Sequence, residues 1–410
     1  MRVSSQSRRA AERVRIAGVA LAVWLSIAAS CQAAEYSVVD LGSVQFNAWM
    51  DINNQRQVLV NGSFAGAFIY QDGLTTTLSL PRDSFLMERF FDIGPAGDVS
   101  GGIDNSEPDG LGIYSTAAVF HADGGVSDLD TFDGISASAF GNNSSGQAVG
   151  GNDPFAYSVA QAVGGDLNVT SHAFLHDGTV FHDLGTLGGL YSLAYAINEA
   201  GQIVGLSTPA GPAEFVGSST WASRAFLYAN GTMQDLNSLA GDSTWTLESA
   251  LAINDQGLIV GYGTTGGARR GFLYDDGTVV DMGVLSGFNN SMARDVNASG
   301  DVVGMMYSDS LKYFSMTTNG DELAFLHRDG TTYDLNSMID PSSGWVLEAA
   351  HGINDQGQIV GYGLFNDGET QTRRAFLLTP VPEPSGIALG GLGLLGLLGW
   401  AIRPARFARR

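Results

Sequence analysis

The sequence predicts an all-β protein: a β-propeller of seven four-stranded blades, followed by a C-terminal transmembrane helix. Three observations lead there. An aromatic-centred segment recurs seven times, from Ala67-Phe68-Ile69-Tyr70 to Ala375-Phe376-Leu377-Leu378. Six copies run into Asp-Gly or Asn-Gly, among them Asp72-Gly73, Asp123-Gly124, Asp177-Gly178 and Asn230-Gly231. These dipeptides accept positive φ at both centres of a two-residue hairpin turn. A segment that opens on Gly and runs through two aliphatics into Gly returns at intervals of 49, 55, 56, 43 and 57 residues, counted from Gly97 to Gly357. That is the period of four short antiparallel strands, the unit of a propeller blade.

Each element has its own signal. After the aromatic strand and its turn comes a strand ending in Asp-Leu or a variant, as at Asp40-Leu41, Asp183-Leu184 and Asp334-Leu335. A third ends near Ile-Asn, as at Ile52-Asn53, Ile253-Asn254 and Ile353-Asn354, and the Gly-bounded fourth follows. Runs of four to six residues with alternating or β-branched apolars fit strands. Glycines in the fourth strand suit a crowded interior, so the Ile-Asn and Gly-bounded strands belong inward and the Phe-rich strands outward. Residues 36–42 form a second-type strand with no first strand ahead of them. They either complete the blade that ends at Leu378 or simply begin the blade frame.

The ends differ from the middle. Arg2, Arg8, Arg9, Arg13 and Arg15 precede an apolar stretch from Ile16 to Ala29 and small residues at Ser30, Ala33 and Ala34. This is the order of a signal peptide over 1–34, cut near Ala34. Lipidation at Cys31 and twin-arginine export through Arg8-Arg9 stay open as alternatives. At the other end, Val381-Pro382-Glu383-Pro384 makes a rigid turn ahead of an apolar run from Gly386 to Ile402, and Arg403, Arg406, Arg409 and Arg410 form a basic stop. Residues 380–410 read as a sorting signal with a transmembrane helix over 386–402. Residues 35–379 are the propeller. Cys31 is the only cysteine, so the mature chain is expected to carry no disulfide and no cysteine metal site. Residues 16–402 hold 41 acidic and 11 basic side chains, a net charge of −30 that repels nucleic acid and anionic lipid.

The unit from His172-Ala173-Phe174-Leu175 through Asp183-Leu184-Gly185-Thr186-Leu187-Gly188-Gly189 to Ala196-Ile197-Asn198 and Gly201–Gly205 resembles the HAF repeat of bacterial extracellular proteins. The match is close at 172–205 and looser over the rest of 36–378. The tail at 381–410 resembles the PEP-CTERM sorting domain in its Pro-Glu-Pro, apolar run and Arg-rich end. The resemblance implies a Gram-negative host that makes an exopolysaccharide matrix. It also implies processing near Pro382-Glu383-Pro384 by an exosortase, a membrane enzyme, before which the C-terminal helix holds the protein at the membrane. Neither family carries a catalytic activity to transfer.

Candidate chemistry stands beside simpler readings. His172, His176 and His182 crowd one hairpin, where zinc requires three or four converging ligands. Other repeats hold Arg224, Arg270 and Arg374 in the slot of His172, and Tyr228 and Tyr274 in that of His176, so half-exposed strand positions are expected there and no metal site. The turns Asn254–Gly257 and Asn354–Gly357 and the stretch Asp104–Gly110 offer clustered oxygens to calcium, though none has EF-hand spacing. Tight turns are the simpler account of the two Asn turns. No cofactor is otherwise expected. Glu248 and Glu348 recur at matching positions, which marks a repeat feature and not a unique active site. No nucleophile elbow, phosphate loop or His-Glu-x-x-His motif is present, and no catalytic residue is assigned. Trp221, Trp245 and Trp345 either stack on sugar rings or pack the core, and the long loops 151–171, 206–223 and 305–322 rim a natural binding face. The expectation is a non-catalytic binding or structural protein of the cell surface or matrix that contacts polysaccharide or matrix proteins. A secreted polysaccharide hydrolase or lyase is the alternative.

Overall fold

The computed structural model describes residues 34–63, 66–78, 88–106, 113–132, 136–152, 171–211, 215–216, 220–221, 223–308 and 322–382. Residues 1–33 of the expected signal peptide, Glu383, Pro384, the helix expected over 386–402 and the terminal arginines lie outside them. Among the described residues no helix is long and apolar enough to cross a membrane.

The chain divides into two compact units. The larger, residues 38–337 and 341–380, forms seven antiparallel blades of four strands among the described residues. Their inner strands are Tyr36–Ile52, Glu88–Ile93, Ala137–Asn142, Gly188–Ile197, Trp245–Ile253, Asn290–Val296 and Trp345–Ile353. Outward in each blade come the Gly-bounded strand, the Phe strand and the Asp-Leu strand, the order expected from the sequence. In the smaller unit the Glu35 amide donates to the Met338 carbonyl (2.9 Å), and the Val381 amide donates to the Glu35 carbonyl (2.8 Å).

Of the two closures left open, the structure adopts the shared one. Strand Tyr36–Ile52 pairs with Gln371–Pro380 on one side and Val58–Ser63 on the other, so blades 7 and 1 join in one seven-stranded sheet. Side chains repeat the assignment. Arg374 Nε donates to Asp40 Oδ1 at 2.9 Å, in the place where His172 meets Asp183 at 2.9 Å in blade 3. Residues near Asp40 are therefore the outer strand of blade 7. Closure leaves that blade without a bare edge between its third strand and solvent.

Burial explains the repeat. Phe174, Phe226, Phe272, Phe325 and Phe376 are fully buried, each contributing roughly 2–3 kcal/mol of apolar transfer. The ring needs room beside it, and glycine provides it: a Cβ on Gly205 would stand 2.9 Å from the Phe226 ring and 1.9 Å from the Leu193 carbonyl oxygen.

The hairpin turns meet the expectation in four blades. Asp72-Gly73, Asn230-Gly231, Asp276-Gly277 and Asp329-Gly330 have positive φ at both residues. Asp123 and Asp177 depart from it, because their loops span 121–125 and 177–180 and are longer than two residues. There the aspartate side chain caps the turn instead, accepting the Gly125 and Thr179 amides respectively, both at 2.9 Å.

The Ile-Asn motif stitches the blades together. The side-chain amide of Asn143 donates to the Asn198 carbonyl, that of Asn198 to Asn254, of Asn254 to Asn297, of Asn297 to Asn354, of Asn354 to Asn53, and of Asn53 to Gly94. Each asparagine oxygen also accepts amides of its own turn, as Asn354 Oδ1 does from Gln356 and Gln358. Gly94 interrupts the series. The Asn142 side chain fills the space beside it, and a Cβ on Gly94 would stand 1.9 Å from Asn142 Oδ1.

Candidate functional site

The inner strands surround a central channel with a cavity of about 600 Å³. A β-bulge decides what lines it. Strand register breaks between Phe90 and Asp92, Ala194 and Ala196, Ala250 and Ala252, Ala293 and Asp295, and Ala350 and Gly352, and blade 3 skips Phe140. A bulge re-aims the extra side chain. Phe91, Phe140, Tyr195, Leu251, Arg294 and His351 all occupy that place, and all line the channel. Blade 1 is regular from Trp49 to Ile52 and contributes Trp49, whose side chain stays 39% exposed.

These residues form an aromatic belt. Trp49 meets Phe91 edge-on at 6.0 Å, Phe91 meets Phe140 at 4.7 Å, and Phe140 meets Tyr195 at 5.8 Å. His351 closes on Trp49 from the other side at 6.2 Å, and the Arg294 guanidinium lies over the Trp49 ring at 5.7 Å. Such contacts add to the burial of each ring and hold the belt rigid. His351 Nε2 is buried and has no hydrogen-bond partner among the described residues. Burial, then the charge of Arg294, pushes its pKa well below the usual histidine value, so the ring is neutral.

Next to the belt, Asp51, Asp92 and Asp295 come from the position just before the Ile or Val of the motif. They span an arc over blades 6, 7, 1 and 2, with Gly352 between, where a Cβ would approach Asp51 Oδ1 at 3.0 Å. Each carboxyl accepts a backbone amide from the neighbouring blade: Asp51 from Ile93 (3.0 Å), Asp92 from Asn142 (3.1 Å) and Asp295 from Ile353 (2.8 Å). Burial raises Asp92 well above the ordinary carboxyl range, and the charge of Asp51 and a hydrogen bond to it raise it further. Asp295 is pushed up to about 7 by burial and then by Asp51. Glu199, Asp255 and Asp355 add carboxylates where the inner strands end. Glu199 Oε2 accepts from Ser144 Oγ at 2.5 Å, and Asp355 Oδ1 accepts the Ala298 amide at 2.8 Å.

The residues singled out in the sequence lie elsewhere. His172 pairs with Asp183 (2.9 Å), His182 with Asp177 (2.6 Å), and His176 accepts the Gly178 amide, so each of the three has its own local partner. Among the described residues no group of three or more His, Cys, Asp or Glu side chains is placed to hold a metal ion. The oxygens of the two Asn turns accept their own backbone amides, while 107–110 lie outside the described residues. Glu348 pairs with Arg373 at 2.8 Å and Glu248 with Arg269 at 3.2 Å, matching sites between strands and away from the channel wall. Trp245 packs on Phe272, and Trp345 on Phe365 and Phe376. The Trp221 side chain and most of the three long loops lie outside the described residues. Val381 is described and bonded to Glu35. The belt itself was missed. Its signal is the position two before Ile-Asn, where Phe91, Tyr195, Leu251, Arg294 and His351 differ while the residue before it is alanine in four of these five blades.

The profile of a family described as "Protein of unknown function (DUF3466)" matches residues 135–375, more than half of the chain. No curated protein matches it. Among solved structures, an acylaminoacyl peptidase from Pyrococcus horikoshii is similar at 13% identity and a TM-score of 0.46, over 79% of this chain and 51% of its own. The chain thus spans about half the length of that peptidase. YCF48 bound to D1 peptide matches at 12% identity and TM-score 0.44, over 86% of this chain and 97% of that one. A putative oxidoreductase (glucose dehydrogenase) from Thermus thermophilus matches at 11% and 0.34, over 84% and 99%.

Proposed function

We infer that this chain, which belongs to the DUF3466 family, is an exported, non-catalytic binding or structural propeller of the cell surface or extracellular matrix that contacts polysaccharide or matrix proteins. The observation that carries this reading is the channel: a rigid aromatic belt beside carboxyls already engaged in holding blades together. Asp51, Asp92 and Asp295 each accept a backbone amide of the next blade, so the carboxyls nearest the belt already serve the fold. Carboxyls so engaged suit structure better than hydrolysis. In this reading the signal peptide over 1–34 exports the chain from a Gram-negative cytoplasm. The apolar run 386–402 holds it in the membrane until an exosortase-type enzyme acts at Val381-Pro382-Glu383-Pro384. No cofactor is invoked.

The alternative, a secreted polysaccharide hydrolase or lyase, draws on the carboxyls of Asp51 and Asp92, which line the same channel. A glycan-binding array followed by product analysis separates the two. Binding without new reducing or unsaturated ends supports the binding protein, and turnover replaces it with the enzyme.

A further inference from the structure

We propose that the central channel is a saccharide site that takes one or two pyranose rings without a negative charge. The inference rests on the binding reading above and names the ligand class of that channel. Two chemistries meet in its wall. Trp49, Phe91, Phe140 and Tyr195 present apolar ring surface. Beside them the oxygens of Asp51, Asp92 and Asp295 accept backbone amides and keep a second lone pair each, and His351 Nε2 is buried without a partner among the described residues. A ligand that satisfies this wall has apolar faces and an edge rich in hydrogen-bond donors. A pyranose has C–H faces and hydroxyl edges. A peptide backbone, with one donor for each acceptor, leaves the surplus acceptors unmet.

Charge then chooses among sugars. Among the described residues, six acidic side chains line the cavity against a single arginine, Arg294, whose guanidinium already lies over Trp49. A uronate is repelled by that excess. At about 600 Å³ the cavity lies within the ~300–1,000 Å³ of small-molecule sites, which suits a short saccharide or a chain end.

The test is calorimetric titration of the full chain, in a detergent without a sugar headgroup, with cellotriose, diacetylchitobiose and trigalacturonate. A neutral sugar is expected to bind at least about tenfold tighter than trigalacturonate, and Trp49→Ala to weaken it by about tenfold, with Trp49→Phe between. Trp345→Phe, in the blade core, is expected to leave affinity unchanged, and melting curves confirm that each variant is folded. Preference for trigalacturonate, or neutral-sugar binding indifferent to Trp49→Ala, overturns the proposal. If array binding survives Trp49→Ala, the surface-binding reading stands and the channel assignment falls. If no glycan binds in either experiment, both fall.

Discussion

The side-chain amide of Asn354 donates to the backbone carbonyl of Asn53 at 3.2 Å across a separation of 301 residues, and this bond joins the last blade to the first. The same asparagine accepts two amides of its own turn and donates to Gln358 Oε1 at 3.0 Å, so one buried side chain serves four bonds.

Asn354→Ala is therefore expected to cost about 2–3 kcal/mol, since buried donors and acceptors lose their partners together. Urea unfolding measures it. A loss below about 0.5 kcal/mol would show that water replaces the side chain and that the asparagine series is not what holds the blades.

The two kinds of glycine separate cleanly. Gly205→Ala drives a methyl into the Leu193 carbonyl and is expected to cost more than about 3 kcal/mol or prevent folding. Gly231→Ala meets open space and suffers only its φ of 77°, about 1–2 kcal/mol. Thermal melts of the pair check the order; equal losses would contradict the close-approach account.

Stability should depend on pH through Asp295. Its folded pKa of about 7 lies above the unfolded value, so the folded state holds the proton more tightly. The contribution is complete below the unfolded pKa of about 4 and is lost as pH rises through 7. Asp92 acts in the same direction. Asp295→Asn is expected to flatten the fall in melting temperature between about pH 4 and about pH 7, the window these values set. Identical slopes for variant and parent would refute the assignment.

Ending the chain after Pro382 keeps the Val381–Glu35 hydrogen bond and removes residues 383–410, the segment proposed to sort the protein. Cell fractionation is expected to show altered retention while the melting curve of the purified propeller stays the same. Aggregation of the truncated protein would mean that the tail belongs to the fold.

Strand order, blade number and the inward position of the Ile-Asn strands were legible because they recur, and recurrence reports what every blade needs: Phe226 buried, Gly205 making room, Asn254 bridging. The channel belt was not, because its residues are carried by bulges and differ from blade to blade. Nothing in Ala293-Arg294-Asp295 announces that the arginine leaves the sheet register. Closure was undecidable for a related reason. Asp40-Leu41 looks like any outer-strand ending, and only pairing with Arg374 assigns it to blade 7. His172 was readable as a metal ligand or a surface residue. It takes the part of an arginine in the same slot.

The strand Tyr36–Ile52, shared by the first and last blades, has a consequence for how the molecule comes into being. Its outer half is among the earliest parts of the ring to emerge during vectorial synthesis, yet its partner, Gln371–Pro380, is among the latest. The clasp cannot shut while the chain is still being delivered. Contacts this distant in sequence carry a large loop-closure cost, which slows folding. An incomplete chain thus waits with an open seam, and the propeller becomes a closed body only once its whole length has arrived.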